Sequence, residues 1–385
     1  MSQRANWSYP TQVRFGAGRI AELADICREA GILQPLFVTD AGLAGLPMTI
    51  AAVANCRSAG LGINLFSDVR PNPTAANVEA GVKAYHAGGH DGVIAFGGGS
   101  ALDAGKCIAF MQGQTRPIWH FEDVGDWWTR ADVNGIAPVI AVPTTAGTGS
   151  EVGRACVITD PDRRVKKIIF HPKMMPVTVI SDPELTIGLP PALTAGAGMD
   201  ALAHCLEAYC APSFHPMSNG IALEGARLVS EALPRAFENG ADLEARSMML
   251  VAASMGAVAF QKGLGAIHAL SHPVGALYDT HHGMTNAVFM PYVLAFNRAA
   301  VEPRLARLGA YLGIPDGVDG LMRWILDLRR RLEVPHTLRD LGIGDSDIDL
   351  IASMALEDPS ASGNPVPLTI RGAKSIFLAA LEGDV

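Results

Sequence analysis

Short apolar runs rich in β-branched residues recur through the first half of the chain, each running into polar or glycine-rich positions. They are LFVTD (36–40), INLFSDV (63–69), GVIAFGGGS (92–100), APVIAVPTT (137–145) and PVTVISD (176–182). Between them, apolar residues recur at helical spacing, as over 75–87 and 101–111. Strand and helix patterns in alternation predict a parallel α/β sheet. From about Leu189 the pattern changes, and 3.6-period segments follow one another to the C-terminus without a convincing strand. The boundary falls in DPELTIGLPPALTA, so an α/β domain is expected over 1–186 and an all-helical domain over 187–385. No internal repeat or low-complexity segment interrupts either half.

The helical half concentrates metal-capable side chains. Asp200 and His204 lie in AGAGMDALAHCLEAY, and His268, His272 and His282 in GLGAIHALSHPVGALYDTHHG. Four residues is about one helical turn, so Asp200 and His204 share a helix face, as do His268 and His272. One histidine on an apolar helix is ordinarily a satisfied core residue. Two such pairs in Ala-, Gly- and Leu-rich stretches need partners, and a cation supplies one. Imidazoles with a carboxylate suit Zn(II), Fe(II), Ni(II) or Co(II). Cys205 adjoins His204, but consecutive helical residues point about 100° apart, so it is expected to face elsewhere.

Two loops of the α/β half suit phosphate. Gly97-Gly98-Gly99-Ser100 ends an expected strand and opens a helix, where bare N–H groups can meet a pyrophosphate. Pro143 to Glu151 repeats the strand-to-helix arrangement and adds hydroxyl donors. Two such loops on one sheet favour a dinucleotide over simple tight turns. Asp40 closes an earlier strand, where a carboxylate accepts hydrogen bonds from a ribose and repels a 2′-phosphate. That favours NAD over NADP.

Composition narrows the partners. The 385 residues are 49% hydrophobic and 18% charged, which suits a globular chain with a large core. A net charge of −8 without a long basic run argues against nucleic-acid binding. MSQRANWSYPTQVRFG lacks an apolar leader segment, and no uninterrupted apolar stretch of bilayer-spanning length is seen, so a cytoplasmic protein without membrane partners is expected. The six cysteines are scattered without a C-x-x-C pair and read as small buried residues.

In this order and spacing, GGGSALDAGK (97–106), PTTAGTGSE, MDALAHCLEAY and IHALSHPVGALYDTHHG resemble the iron-containing (group III) alcohol dehydrogenase family, from about Tyr9 to Leu381. The resemblance implies an N-terminal α/β dinucleotide-binding domain, a C-terminal all-α metal-binding domain of dehydroquinate synthase-like architecture, and an active site in the cleft between them. It implies Asp200, His204, His268 and His282 as metal ligands, with His272 near substrate and nicotinamide. On the cofactor side it implies Asp40, Asn72, Gly98, Gly99, Ser100, Asp103, Thr144, Thr145, Thr148 and Lys166 around NAD. It favours Fe(II), with Zn(II) the alternative, and a homodimer or higher homo-oligomer.

The expected activity is NAD- and metal-dependent hydride transfer between a small primary alcohol, diol or hydroxy acid and nicotinamide. Removing hydride from an alcohol carbon needs charge stabilisation at oxygen, which a divalent cation supplies, and His272 is the candidate proton relay. The chain departs from the family where His281 replaces a common proline, offering a competing ligand, where Lys262 replaces a neutral polar residue, and where Gly153 replaces a threonine. Phe260, Gln261, Lys262 and His281 are candidates for the substrate tail, with Trp127 and Trp128 as lid residues. Lys262 could pair with the carboxylate of an ω-hydroxy acid, although an exposed surface lysine is the plainer expectation. A maleylacetate-reductase-like enzyme would dispense with the complete ligand set, a dehydroquinate synthase-like lyase would need a basic cluster around the histidines, and a non-catalytic NAD- or metal-binding protein would need no His272.

Overall fold

Strands that are apolar along their whole length need cover on both faces, and four strands of this chain are buried throughout. The structure, a computed structural model, describes residues 11–385. MSQRANWSYP, most of the stretch read as lacking a leader and the start of the family resemblance, lies outside the described residues. The chain divides into a sheet unit, 11–145 with Gly149–Ile187, and a helical unit, Ala146–Thr148 with Gly188–Val385.

The sheet unit carries β1 (Gln12–Phe15), β2 (Pro35–Val38), β3 (Asn64–Phe66), β4 (Gly92–Gly97), β5 (Val139–Pro143), β6 (Ala155–Asp160), β7 (Val165–Phe170) and β8 (Thr178–Ser181). Its helices are α1 (Leu23–Glu29), α2 (Ala41–Ala44), α3 (Pro47–Ser58), α4 (Ala75–Ala87) and α5 (Gly99–Met111). Six strands form one parallel sheet in the order β1-β8-β5-β4-β2-β3. The five expected strands are all present. The chain builds outward from β2 to β3, then returns to β4 on the other side of β2 and continues to β5, so the order reverses between β2 and β4. Ligands of open α/β sheets bind beyond the carboxyl ends of the strands at such a reversal.

Three strands escape the sequence pattern. β1 is a four-residue edge strand whose Gln12 and Arg14 break its apolar character. β6 and β7 form a separate antiparallel hairpin in register Ala155↔Phe170 to Asp160↔Val165. Lys166 and Lys167 interrupt β7, and Asp160 closes the turn by accepting from the backbone N–H groups of Asp162 and Arg163 at 3.2 Å.

The helical unit comprises α6 (Pro191–Cys210), α7 (Pro216–Glu238), α8 (Leu243–Ala259), α9 (Ala266–Tyr278), α10 (His282–Tyr311), α11 (Gly317–Arg331), α12 (Ile348–Glu357) and α13 (Ile370–Glu382), without a strand among its described residues. α6 is buried along nearly its whole length, surrounded by α7, α8 and α10. Its apolar composition all round is that of a central core helix. Its C-terminal carbonyls are met by two cations: Arg304 Nη1 donates to Tyr209, Cys210 and Ala211, and Lys262 Nζ donates to Tyr209 at 2.9 Å. Positive charge is favourable at that helix end. The segment Leu243–Lys262, α8 with the turn after it, is long and apolar enough to cross a membrane by length and composition, although Glu244 and Arg246 interrupt its apolar run. Half of its most apolar window is buried, and it packs against α6 and α7 as a core helix does.

Candidate active site

α6 presents Asp200, His204 and Glu207 at intervals of four and three residues, so all three emerge on one face. α9 brings His268 and His272, and His282 opens α10. The Nε2 atoms of His204, His268 and His282 stand 3.7, 3.7 and 3.6 Å from Asp200 Oδ1. Two donors each about 2.1 Å from one tetrahedral cation lie about 3.4 Å apart, so this spacing fits shared coordination. Asp200, His204 and His268 form the tightest group, with ligand atoms within 4.8 Å of one another, and all three are buried.

Hydrogen bonding sets which nitrogens are offered. His268 Nδ1 donates to Glu207 Oε2 at 2.5 Å, which leaves Nε2 as the nitrogen that faces Asp200 and that a bound cation would take in place of a proton. Asn286, one turn beyond His282, donates Nδ2 to Asp200 Oδ1 at 2.7 Å and lies 3.2 and 3.1 Å from Nε2 of His268 and His282. A donor amide thus touches the atoms that a cation would take. The carbonyl of Asn286 accepts from Ser271 Oγ.

Two buried carboxylates, Asp200 and Glu207, make the cluster a place for positive charge. Burial raises the Asp200 carboxyl, but His204, His282 and His268 outweigh it and hold the group well below the usual carboxylate range. Burial drives His204 down to about 4, against the pull of Asp200, so its imidazole is neutral at pH 7. Burial also opposes charge on His268, yet Glu207 and Asp200 together raise it to about 10. A proton there compensates the carboxylates, and a divalent ion compensates them better.

His272 stands beside this cluster. Its ring stacks on His282 at 5.3 Å between centroids, and its Nδ1 donates to Asp358 Oδ2 at 2.7 Å. The Asp358 carboxyl feels burial most, which raises it, but the His272 pair and the Ser360 N–H leave it lowered overall. With Nδ1 committed to Asp358, Nε2 of His272 is the nitrogen left to accept or pass a proton.

On the sheet unit, Asp40 and the Gly97–Ser100 loop flank the strand-order reversal between β2 and β4, and Thr144 and Thr145 follow the adjoining β5. Asp40 follows β2 and caps α2, accepting from Leu43 N–H at 3.0 Å. Gly97, at φ +145°, ends β4 with Asp40 Oδ2 and Ala101 Cβ on the side where a Cβ would sit, so a larger residue would fill the space between the two strand ends. Gly98 is the N-cap of α5, and Gly99 and Ser100 form its first turn. Thr145 lies against Gly98, and Thr144 N–H donates to Gly97 O at 2.9 Å, joining the two loops. Thr148 falls within the helical unit. Asp103 turns to support: Oδ1 accepts from Ser150 Oγ at 2.5 Å and Oδ2 from Val157 N–H at 2.9 Å. Lys166 Nζ donates to Asn72 Oδ1 at 2.8 Å, tying β7 to the RPNPT segment.

Both units match family models, residues 10–183 that of iron-containing alcohol dehydrogenase and residues 194–381 that of the Fe-containing alcohol dehydrogenase family, C-terminal. The chain belongs to the iron-containing alcohol dehydrogenase family. It is an oxidoreductase of that family. It is 39% identical to a 4-hydroxybutyrate dehydrogenase of Cupriavidus necator, covering 93% of this chain and 94% of the relative. It is 35% identical to an NAD-dependent methanol dehydrogenase of Bacillus methanolicus, covering 98% and 100%. A crystal structure of a 1,3-propanediol oxidoreductase superposes with a TM-score of 0.93 at 33% identity, covering 98% of this chain and all of that one.

In this iron-containing alcohol dehydrogenase family member, several peripheral expectations change. Lys262 is not a surface lysine: it is 6% exposed, and its Nζ is held by Tyr209 O and by Asn219 Oδ1 at 2.6 Å. Burial pushes it down to about 7. His281 caps α10, with Nδ1 accepting from Met284 N–H at 3.3 Å and its ring against Gly196. Phe260 does reach the site, its ring 5.1 Å from that of His204. Gln261 instead donates to Val258 O at 2.8 Å. Trp127 and Trp128 are docked rather than lid-like: Trp128 packs edge-on against Phe170 and His171, and Arg130 covers Trp127. Cys205 faces Gly225 and Gly256, and all six cysteines are buried. Glu207, Asn286 and Asp358 were missed. The first two carried a signal, being polar residues one turn from His204 and His282 in apolar helices, whereas Asp358 lies 86 residues from its partner and carried none.

Proposed function

We propose that the chain is an NAD-dependent, divalent-metal-dependent dehydrogenase that transfers hydride between a small primary alcohol, diol or hydroxy acid and nicotinamide. The observation that carries this reading is the convergence of three imidazole Nε2 atoms on one buried carboxylate oxygen at 3.6 to 3.7 Å. Asp200, His204, His268 and His282 would hold the ion. When bound, the cation supplies Lewis-acid polarisation of the substrate oxygen and nicotinamide the two-electron exchange. His272, its Nδ1 fixed by Asp358, would carry the hydroxyl proton on Nε2. Phe260 would give the substrate carbon an apolar wall beside His204.

On the cofactor side, Gly98, Gly99 and Ser100 would offer the α5 N-terminus to the pyrophosphate, and Asp40 would accept from the ribose. Asn72, Thr144, Thr145, Thr148 and Lys166 would border the dinucleotide, with Asp103 holding the second loop from behind. The name of the methanol dehydrogenase relative supports NAD, and that of the 4-hydroxybutyrate dehydrogenase supports hydroxy acids among the substrates. Six reduced, buried cysteines fit a cytoplasmic enzyme. The exposed Val13 and Phe15 on edge strand β1 fit a homodimer or higher homo-oligomer.

Protein purified anaerobically tests the reading through metal analysis and NADH formation from short alcohols, diols and hydroxy acids, with Fe(II) or Zn(II) restored. We expect about one metal per chain, with activity lost on chelation and regained with one cation. A metal-free chain that still reduces a carbonyl would overturn it. Asp40→Gly is expected to relax the preference for NAD over NADP, read as the ratio of kcat/KM for the two cofactors, and an unchanged ratio would remove Asp40 from the ribose site.

A further inference from the structure

Glu207 lies on the same face of α6 as Asp200 and His204, yet it is not among the candidate ligands. Its carboxylate is 6% exposed and is used at both oxygens. Oε2 accepts from His268 Nδ1 at 2.5 Å, and Oε1 accepts from Ile267 N–H at 2.6 Å. The preceding amide, Ala266 N–H, is met at 3.1 Å by Asn364 Oδ1, whose amide is paired reciprocally with Asn297 at 2.8 Å. Two otherwise unpaired N–H groups of the α9 N-terminus are therefore satisfied by side chains from elsewhere in the helical unit, but only Glu207 also reaches a candidate ligand.

That double use separates Glu207 from an ordinary helix cap. A cap needs an acceptor for the backbone and nothing more, and a neutral amide oxygen serves that purpose well. A carboxylate on imidazole Nδ1 fixes the tautomer, fixes the ring plane and makes the opposite nitrogen a stronger donor to a cation. We infer that Glu207 is a positioning residue for the metal, acting through His268 so that α6 supplies two ligands directly and aims a third. This inference rests on the metal reading of the Asp200, His204, His268 and His282 cluster.

Glu207→Gln keeps size and backbone acceptor while removing the charge, and Glu207→Asp keeps the charge while shortening the reach. Zn(II) affinity is measured on the full chain by competition with a chromophoric chelator, and the d–d spectrum of the Co(II)-loaded protein is recorded alongside. We expect Glu207→Gln to weaken Zn(II) binding by about 10- to 100-fold and to shift the Co(II) bands, with far-UV circular dichroism unchanged. Glu207→Asp is expected to do the same, and it carries the comparison if the glutamine variant does not fold. Wild-type affinity and spectrum in both variants would overturn the inference while leaving the site intact. Failure of the wild-type chain to bind about one Zn(II), or binding that survives His268→Ala, would overturn the site reading itself and the inference with it.

Discussion

Asp358 and Lys262 are both buried charges, but the surroundings of each point to different experiments. Asp358 holds Nδ1 of His272, so removing its charge loosens the orientation of the proposed relay without touching a candidate ligand. His272→Ala is expected to lower kcat by about 100-fold or more, and Asp358→Asn to lower it in the same direction by less, with metal content unchanged in both. Steady-state kinetics with metal analysis checks this. The folded Asp358 carboxyl titrates below its unfolded value. Its pairing therefore stabilises the fold above about pH 4 and stops doing so as pH falls through the lowered value. Urea unfolding of wild type and Asp358→Asn should accordingly differ most near neutrality and converge in acid. Lys262 has the same sign in a higher window: burial lowers its folded pKa to about 7, so the folded chain binds fewer protons than the unfolded one above that pH. Wild-type stability should therefore gain from this group as pH rises from about 7 to 10.4, and Lys262→Met should lose that slope. The ammonium already serves Tyr209 and Asn219, so the same variant should leave the kcat/KM ratio of 4-hydroxybutyrate to 1-butanol unchanged. A fall in that ratio would return Lys262 to carboxylate recognition.

Between elements, the decisive feature is how closely α6 and α10 approach. A Cβ on Gly283 would collide with the carbonyl oxygen of Gly196 and stand 3.0 Å from Asp200 Cβ, so the two backbones meet where Asp200 and His282 are placed. Gly283→Ala is expected to cost about 1–3 kcal/mol and to weaken metal binding, since the ligand-bearing helices must separate. Gly220, exposed on α7 with open space around it, is the contrasting site: there alanine should stabilise by up to about 1 kcal/mol through helix propensity. Thermal melts of both variants and a metal titration of the first check the pair, and a neutral Gly283→Ala would show that the approach can relax. This close fit was not legible in the sequence, because a glycine in a helix looks the same whether it faces solvent or a carbonyl. The central strands and the two His- and Asp-bearing helices were legible, because continuous apolar runs and i,i+4 spacing are local properties of the chain. β1 and the β6–β7 hairpin were not, since a four-residue edge strand and a lysine-interrupted strand lack that run. The bond from Asp358 to His272 depends on tertiary folding across 86 residues, which no local pattern encodes.

For the molecule as a whole, the division into two units means that the two proposed ligands should leave separate footprints. A ligand that binds only the folded form stabilises it by RT ln(1 + [L]/Kd), about 2.7 kcal/mol at a hundredfold excess over Kd. The gain reaches the amides whose opening would disrupt the site. Zn(II) alone should therefore slow hydrogen exchange around 200–207 in α6, in the first two turns of α9 and at the start of α10. NAD alone should slow it at 40–45 after β2 and at 97–105 after β4, on either side of the strand-order reversal. Peptide-resolved exchange with each ligand separately makes the comparison. Protection by NAD confined to the helical unit would remove the dinucleotide from the reversal between β2 and β4. Protection by Zn(II) away from α6 and α9 would mean that the convergence on Asp200 is a hydrogen-bonded core cluster, with the Asn286 amide as its natural occupant.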